Sequence, residues 1–353
     1  MLFDVNGVTG VTINHATYSH DGPSDWQLWA SADGGNTYTQ IGNTITTSNH
    51  TFQAVTFNIT LKGSIRFEVR KVSGGKNRIN IDDFTINAIT STLAAGQQPT
   101  TGDNSNMLLG NPSSATASIS NADNYLIDHH YYTESYNRDK AEPNWVCWHI
   151  GASDLGSTDR LNNFRPDSLL PSAWLAVDPE YYKDSGFDKG HNCPSGDRTS
   201  STEANSATFL MDNIIPQAPN NNQHTWEHFE SYCRDQVKER GNEVYVIMGS
   251  YGSGGTGRNG YTTSIANGKI NVPAHIWKIA VIIPNGDHDL LRITSATQVI
   301  AIDTPNDNSL SPNWMKYVCT VSDIEKATGY RLLSALPASI RSALETEKFS
   351  GGY

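Results

Sequence analysis

The chain reads as two domains of different class: an all-β antiparallel sandwich over residues 1–90 and an α+β domain over 122–353, joined by a flexible linker at 91–121. Three observations predict this. The 353 residues exceed the roughly 250 at which single cores stop growing. The first quarter alternates short strand-like runs with Gly, Asn, Asp and Pro clusters. The later part mixes strand-sized apolar runs with apolar residues at helical 3–4 spacing.

In the first domain the strand candidates are 8–13 (VTGVTI), 26–30 (WQLWA), 52–59 (FQAVTFNI), 65–72 (IRFEVRKV) and 78–86 (RINIDDFTI). Turn clusters at Asp21-Gly22-Pro23-Ser24, Asp33-Gly34-Gly35-Asn36 and Ser73-Gly74-Gly75-Lys76 punctuate them, as in an antiparallel sandwich. Residues 91–121 hold Asp103 as their one charge and show no sustained apolar period, which reads as linker. Beyond it, strands are expected at 145–150, 208–215, 243–248, 274–283 and 297–302, and a helix from about Asn222 to about Arg240. Two more helices close the chain, one from Ser322 with a capping box through Glu325 and one from Pro337.

Composition narrows the function classes. With 25 Lys+Arg against 36 Asp+Glu, the net charge is -11, so a broadly basic coat for nucleic acid is excluded while nucleic acid as a substrate is not. No run nears the roughly 18 apolar residues of a membrane span. Of the four cysteines, Cys147, Cys193, Cys233 and Cys319, no two have CxxC spacing, which argues against a zinc knuckle or a dithiol redox site. The first seven residues lack the basic and apolar regions of a signal peptide. Abundant Asn, Thr, Ser, Tyr and Gly with few lysines point to a bacterial secreted, periplasmic or cell-surface protein whose targeting segment is absent from this chain.

Two segments carry the chemistry. The first is Phe187-Asp188-Lys189-Gly190-His191-Asn192-Cys193-Pro194-Ser195-Gly196-Asp197-Arg198; the second begins at Asp212-Asn213-Ile214-Ile215-Pro216-Gln217 and continues to Asn222, Trp226, Glu230 and Arg234. A histidine ionises near pH 6.5 and suits general-base work, and Gly190 beside it removes a side chain that would block close approach. Alone, such a histidine is more often a surface residue. Asn222, Trp226, Glu230 and Arg234 recur every fourth position and share one helix stripe; the plain alternative for Glu230 and Arg234 is a surface i,i+4 ion pair. His224 and His228 face elsewhere on that helix and find no third ligand, so they read as surface residues. The His129-His130 pair receives no role.

Taken together, Asp188-Lys189-Gly190-His191, Asn213-Ile214-Ile215-Pro216-Gln217 and the Asn222/Trp226/Glu230/Arg234 series resemble the DNA/RNA non-specific endonucleases, the ββα-metal or His-Me finger family of Serratia nuclease and endonuclease G. The family pattern is D-R-G-H, N-x-x-P-Q and N-x3-W-x3-E-x3-R, and every spacing is kept over roughly 125–344. The resemblance implies that His191 is the general base, Asn222 the direct protein ligand of the metal, and Glu230 the acid holding water and nearby cations. It likewise places Arg234 near the scissile phosphate, with Arg160 as a looser match to the upstream phosphate-binding arginine. Lys189 departs from the usual arginine, keeping the charge but losing the planar fork. Asp188, Gly190 and Asn213 are implied as supporting residues. A Cys193–Cys233 disulfide bracing the site stands open against two free buried thiols.

The implied activity is Mg²⁺-dependent cleavage of DNA and RNA with 5′-phosphate products, Mn²⁺ or another divalent cation being an alternative. A phosphodiesterase for nucleotides or small phosphodiesters remains a rival, as does an inactive extracellular binding protein or adhesin. The sandwich resembles accessory modules of exported bacterial proteins and fixes no ligand. Trp26 and Trp29 suit a sugar site or a core, and Asp82-Asp83 a Ca²⁺ site or a solvated strand end.

Overall fold

The computed structural model describes residues 8–19, 21–33, 35–61, 65–88 and 102–351. The chain divides into two compact units, Met1–Thr92 and Leu93–Tyr353.

In the first unit, β1 (Val8–Thr17), β2 (Ser24–Ser31), β3 (Thr39–Thr47), β4 (Gln53–Asn58), β5 (Arg66–Lys71) and β6 (Ile79–Ala88) form two antiparallel sheets ordered β4-β1-β6 and β3-β2-β5. Alternation along β2 turns Trp26, Leu28 and Ala30 into one core shared with Val11, Ile13, Phe57 and Phe67. Strand β3 was not anticipated, because Ile41 and Ile45 are its only large apolar residues and its other positions are polar or glycine. Trp26 is core, its indole N–H donating to Thr47 Oγ1 at 2.9 Å. Trp29 is half-buried beneath the Arg70 guanidinium, 4.2 Å away.

The second unit is built on one seven-stranded antiparallel sheet. Its strands are β7 (Tyr125–Asp128), β8 (Thr133–Asn137), β9 (Glu142–Ile150), β12 (Asn242–Tyr251), β17 (His275–Pro284), β18 (Gln298–Pro305) and β19 (Val318–Cys319), in the order β19-β18-β17-β12-β9-β8-β7. Between them lie β10 (Asp188–His191), which pairs with β11 (Ile214–Gln217), and two small hairpins, β13 (Gly255–Gly257) with β14 (Gly260–Thr262) and β15 (Ser264–Ile265) with β16 (Ile270–Asn271). The helices are α1 (Thr202–Ala207), α2 (Glu227–Lys238), α3 (Asp289–Arg292), α4 (Val321–Thr328) and α5 (Ala338–Thr346).

Central strands covered on both faces read as continuous apolar runs, and β9 is buried at every position. Alternate residues feed two cores. Trp145, Cys147, Ile247 and Ile279 pack with Val321, Ile324 and Leu344 of α4 and α5 on one face. Val146, Trp148, Val246 and Ala280 pack with Phe229, Cys233 and Val237 of α2 on the other.

Three expectations need correction. Of the expected linker, 91–101 lies outside the described residues, and 102–121 belongs to the second unit. Met107, Leu108 and Leu109 are buried in the first of these cores, and the rest is held by local turns such as Asn111 Nδ2 to the Ala115 carbonyl at 2.9 Å. Turns carry no apolar period, which hides this segment from pattern reading. The expected strand at 208–215 becomes a strand only at Ile214, since a 3₁₀ turn occupies Met211–Asn213; the Asn213 amide donates back to the Thr208 carbonyl at 2.9 Å and curls the chain. The capping box of α4 is Thr320 with Asp323, not Ser322 with Glu325, because Glu325 accepts instead from the Leu332 amide at 2.7 Å.

Candidate active site

Strand β10, strand β11 and the helix that follows hold the motif residues. The register sets Asp188 opposite Gln217, Lys189 opposite Pro216, Gly190 opposite Ile215 and His191 opposite Ile214. Asn213 then locks the loop after His191: its carbonyl accepts from the Asn192 amide at 2.9 Å, its side-chain oxygen accepts from the Cys193 amide at 2.9 Å, and its side-chain nitrogen donates to the Cys193 carbonyl at 2.9 Å. Buried polar groups satisfied in this way fix backbone position, so Asn213 supports the site.

A Cβ at Gly190 would lie 2.3 Å from Gln217 Oε1 and 2.5 Å from Gln217 Cβ. The glycine makes room for a neighbouring side chain on β11.

His191 is buried, and its Nε2 has no hydrogen-bond partner among the described residues. Its ring packs against Phe164 at 5.4 Å and Phe209 at 5.1 Å, and these two phenyl rings meet edge to face at 4.9 Å. The same rings seat two cations, with Arg160 5.0 Å from Phe209 and Lys189 Nζ 5.0 Å from Phe164. Arg160 also donates to Ser195 Oγ at 2.7 Å and to Asn162 at 2.8 Å. Burial, and then the Arg160 charge, lower the His191 pKa to about 3, so the imidazole is neutral across the physiological range.

The helix opens with a π-helical turn at Asn221–Trp226 before α2 begins; such turns recur at functional sites. Asn222 stands in this turn and donates through Nδ2 to Asp188 Oδ2 at 3.0 Å, and Gln223 donates to the same oxygen at 2.6 Å. With its amide N–H so engaged, Asn222 keeps Oδ1 as a hard oxygen with no donor among the described residues. That is the donor type Mg²⁺ prefers, with water and phosphate completing its shell. Asn222 therefore fits the implied cation. Asn222, Asp188, Lys189, Arg160 and Phe164 line a cleft of about 450 Å³.

One helical turn on, Trp226 is buried beside Lys278, whose ammonium lies 5.0 Å from that ring and 5.4 Å from Trp148. Lys278 donates to Glu230 Oε1 at 2.7 Å. Burial raises the Glu230 pKa, while Lys278 and Arg234 pull the other way. Arg234 donates to Asp197 Oδ1 at 3.0 Å, and Asp197 Oδ2 accepts from the Trp148 indole at 2.9 Å. Glu230 and Arg234 thus each have an ionic partner outside the helix instead of forming a surface pair with each other.

Asp188 and Asn222 meet through a hydrogen bond, and Arg160 and Lys189 sit on the two rings that flank His191. Cys193 and Cys233 belong to one apolar cluster but are free thiols, packed as small hydrophobes between sheet and helix. Lys278, Gln223 and Phe209 escaped sequence reading, and Ser195 and Asp197, although they stand in the quoted segment, and Phe164, close to Arg160 in the chain, received no role there. Lys278 did leave a signal, being a lone cation inside the apolar run of β17. His224 is exposed and His228 contacts the Pro312 carbonyl at 3.0 Å, so neither joins a metal cluster.

Comparison with known proteins shows the family of the second unit. Residues 110–339 match the family model for the DNA/RNA non-specific endonuclease. The chain is 43% identical over 241 residues to a nuclease from Nostoc sp., covering 68% of this chain and 85% of that protein. It is 32% identical over 202 residues to the mitochondrial nuclease EXOG of Xenopus laevis, covering 55% of this chain and 54% of that one. Among solved structures, that of an EndoG/EndoGI complex aligns with a TM-score of 0.53 at 20% identity, over 68% of this chain and 94% of the matched one, which speaks to the fold alone.

Proposed function

The chain belongs to the DNA/RNA non-specific endonuclease family and is a nuclease, a hydrolase, and on that premise we propose that it cleaves DNA and RNA by a His191-based, divalent-cation-dependent hydrolysis that leaves 5′-phosphates. The observation carrying this reading is the strand–strand–helix unit that ties Asn222 to Asp188 three residues before His191. Asn222 would hold Mg²⁺ or Mn²⁺, which would supply positive charge for the scissile phosphate and the departing 3′-oxygen.

The chain's own residues do the rest. His191, held neutral, accepts the proton of the water that attacks phosphorus in line. Arg160 and Lys189, seated on Phe209 and Phe164, hold the phosphate oxygens, and Arg234, fixed by Asp197, balances charge around Glu230. Contacts of this kind read phosphates rather than base edges, which suits a substrate range spanning both sugars. A phosphate docked on Arg160 also offsets the charge that depresses His191, so substrate strengthens its own base. We assign the N-terminal unit the role of an accessory β-sandwich domain and place the protein outside the bacterial cytoplasm, on the strand pattern and the composition.

Plasmid DNA and RNA incubated with the wild type and with His191→Ala, in Mg²⁺ or in EDTA, test the reading. Cleavage by the wild type alone, only with Mg²⁺ and with ends that ligate without prior phosphorylation, is the expected result. Equal cleavage by His191→Ala overturns it. Turnover of bis-p-nitrophenyl phosphate with no cleavage of polymer would favour the small-phosphodiester reading.

A further inference from the structure

On the β7–β8 hairpin and the turn before β11, away from Asn222 in sequence, sits a second cluster of chemistry-bearing groups. His129, in the β7–β8 turn, points Nε2 toward Asp212 Oδ2 at 3.2 Å and Glu134 Oε1 at 3.7 Å, and the three side chains are 2%, 0% and 0% exposed. One ligand-type atom from each lies within 4.8 Å of the others. Among the described residues, both carboxylate oxygens of Glu134, both of Asp212, and His129 Nε2 have no hydrogen-bond partner, nor does Oδ2 of the buried neighbour Asp167. Among the described residues no lysine or arginine pairs with any of these carboxylates.

Burying a carboxylate without a donor costs several kcal/mol, and this cluster sets two of them, Glu134 and Asp212, against one imidazole, with Asp167, which accepts from the Leu169 amide at 3.1 Å, beside them. The spacing fits a better solution. Tetrahedral ligands at about 2.0–2.1 Å from one ion stand about 3.3 Å apart, between the two distances observed. One imidazole nitrogen with carboxylate oxygens is a donor set for Zn²⁺ or Mn²⁺; Mg²⁺ keeps its water and prefers oxygen alone.

We propose that His129, Glu134 and Asp212 form a structural site for one divalent transition-metal ion, with Asp167 as an outer carboxylate, separate from the cation at Asn222. Such an ion ties the β7–β8 hairpin to the turn at Met211–Asn213. Asp212 directly precedes Asn213, which holds the loop after His191, so the ion braces the catalytic histidine from behind without touching substrate.

The full chain, stripped with EDTA and reloaded with Zn²⁺ or with Co²⁺ as a coloured substitute, provides the test. The expected result is one Zn²⁺ per chain by mass-spectrometric metal analysis after gel filtration, in the wild type and in Asn222→Ala alike. Excess Mg²⁺ does not displace it, the melting temperature rises on loading, and the Co²⁺ form shows visible d–d bands. Glu134→Gln and Asp212→Asn each weaken Zn²⁺ binding by about 100-fold or more, the upper end of what removing even an outer partner costs. No retained Zn²⁺ in the wild type overturns the proposal and leaves a proton-sharing cluster. Loss of Zn²⁺ in Asn222→Ala, or its equal retention in a folded Glu134→Gln, also overturns it. Should both ligand variants fail to fold, anomalous diffraction from zinc-loaded wild-type crystals decides, since a peak anywhere but between His129 and Glu134 refutes the site. None of these readouts depends on nuclease activity.

Discussion

Asp188 accepts a hydrogen bond from the Asn222 amide nitrogen at 3.0 Å, so the first residue of the His191 strand orients the amide whose oxygen suits a hard cation. The bond decides which end of the Asn222 amide faces outward. Without it the amide is free to flip and offer N–H₂, which repels a cation. Asp188→Ala should therefore raise the Mg²⁺ concentration for half-maximal plasmid cleavage by about 10–100-fold, the usual effect of losing an outer partner of a metal ligand. Activity at saturating Mg²⁺ should recover most of the loss. A Mg²⁺ titration identical to wild type would show that Asp188 does not position Asn222.

Lys278 and Glu230 form a 2.7 Å ion pair with side chains 1% and 13% exposed. Removing one partner strands the other charge, which costs about 3–5 kcal/mol, whereas removing both together costs far less. Lys278→Met should thus lose most of that stability in urea unfolding, and Lys278→Met with Glu230→Gln should regain much of it. Simple additivity of the two changes would mean that the pair is not coupled.

What could be read beforehand followed from spacing, and what could not followed from long-range pairing. The Asn222, Trp226, Glu230 and Arg234 interval marks a helix because helical neighbours are set by a fixed rotation per residue. The partners of that stripe, Lys278 and Asp197, arrive from chain segments 48 and 37 residues away, and no local pattern records such contacts. Strand β9 announced itself by the apolar run Trp145-Val146-Cys147-Trp148, whereas β3 did not, because most of its side chains face solvent. His129 was the least legible. A histidine pair in a polar hairpin looks like surface until Glu134 and Asp212 fold against it.

Gly190 faces Gln217 so closely that an added methyl group must displace it. Overpacking of this kind costs about 1–3 kcal/mol. Gly190→Ala should lower the melting temperature and reduce kcat, since the strain falls on the strand that carries His191. Pairing it with Gln217→Gly, which removes that Cβ together with the amide, should restore much of both. A Gly190→Ala protein with wild-type stability would remove Gln217 as the reason for the glycine.

Cys193 and Cys233 share an apolar cluster, and burial raises both thiols, Cys233 to about 12. Thiolates are the reactive form, so both should resist iodoacetamide in the folded protein. After unfolding without reductant, mass spectrometry should find both alkylated. A pair still unmodified under those conditions would restore the disulfide.

His191 carries the sharpest electrostatic prediction. Two causes lower its pKa to about 3, burial first and the Arg160 charge second. Replacing Arg160 with glutamine removes the second and leaves the first. A positive neighbour disfavours imidazolium, so its loss must raise the pKa, while burial keeps the value below the unperturbed 6.5 or so. Because the folded pKa is depressed, the stability tied to neutral His191 is full above about pH 6.5 and falls as acid approaches the folded value. Arg160→Gln should therefore narrow the window of acid destabilisation, seen as a flatter fall of melting temperature between neutrality and pH 4. The pKa itself is read from the imidazole Cε1 proton by NMR in the free protein, with no metal or substrate present. An unchanged or lower His191 pKa in Arg160→Gln would separate the two residues electrostatically. It would also remove the coupling by which a phosphate docked on Arg160 sharpens the base beside it.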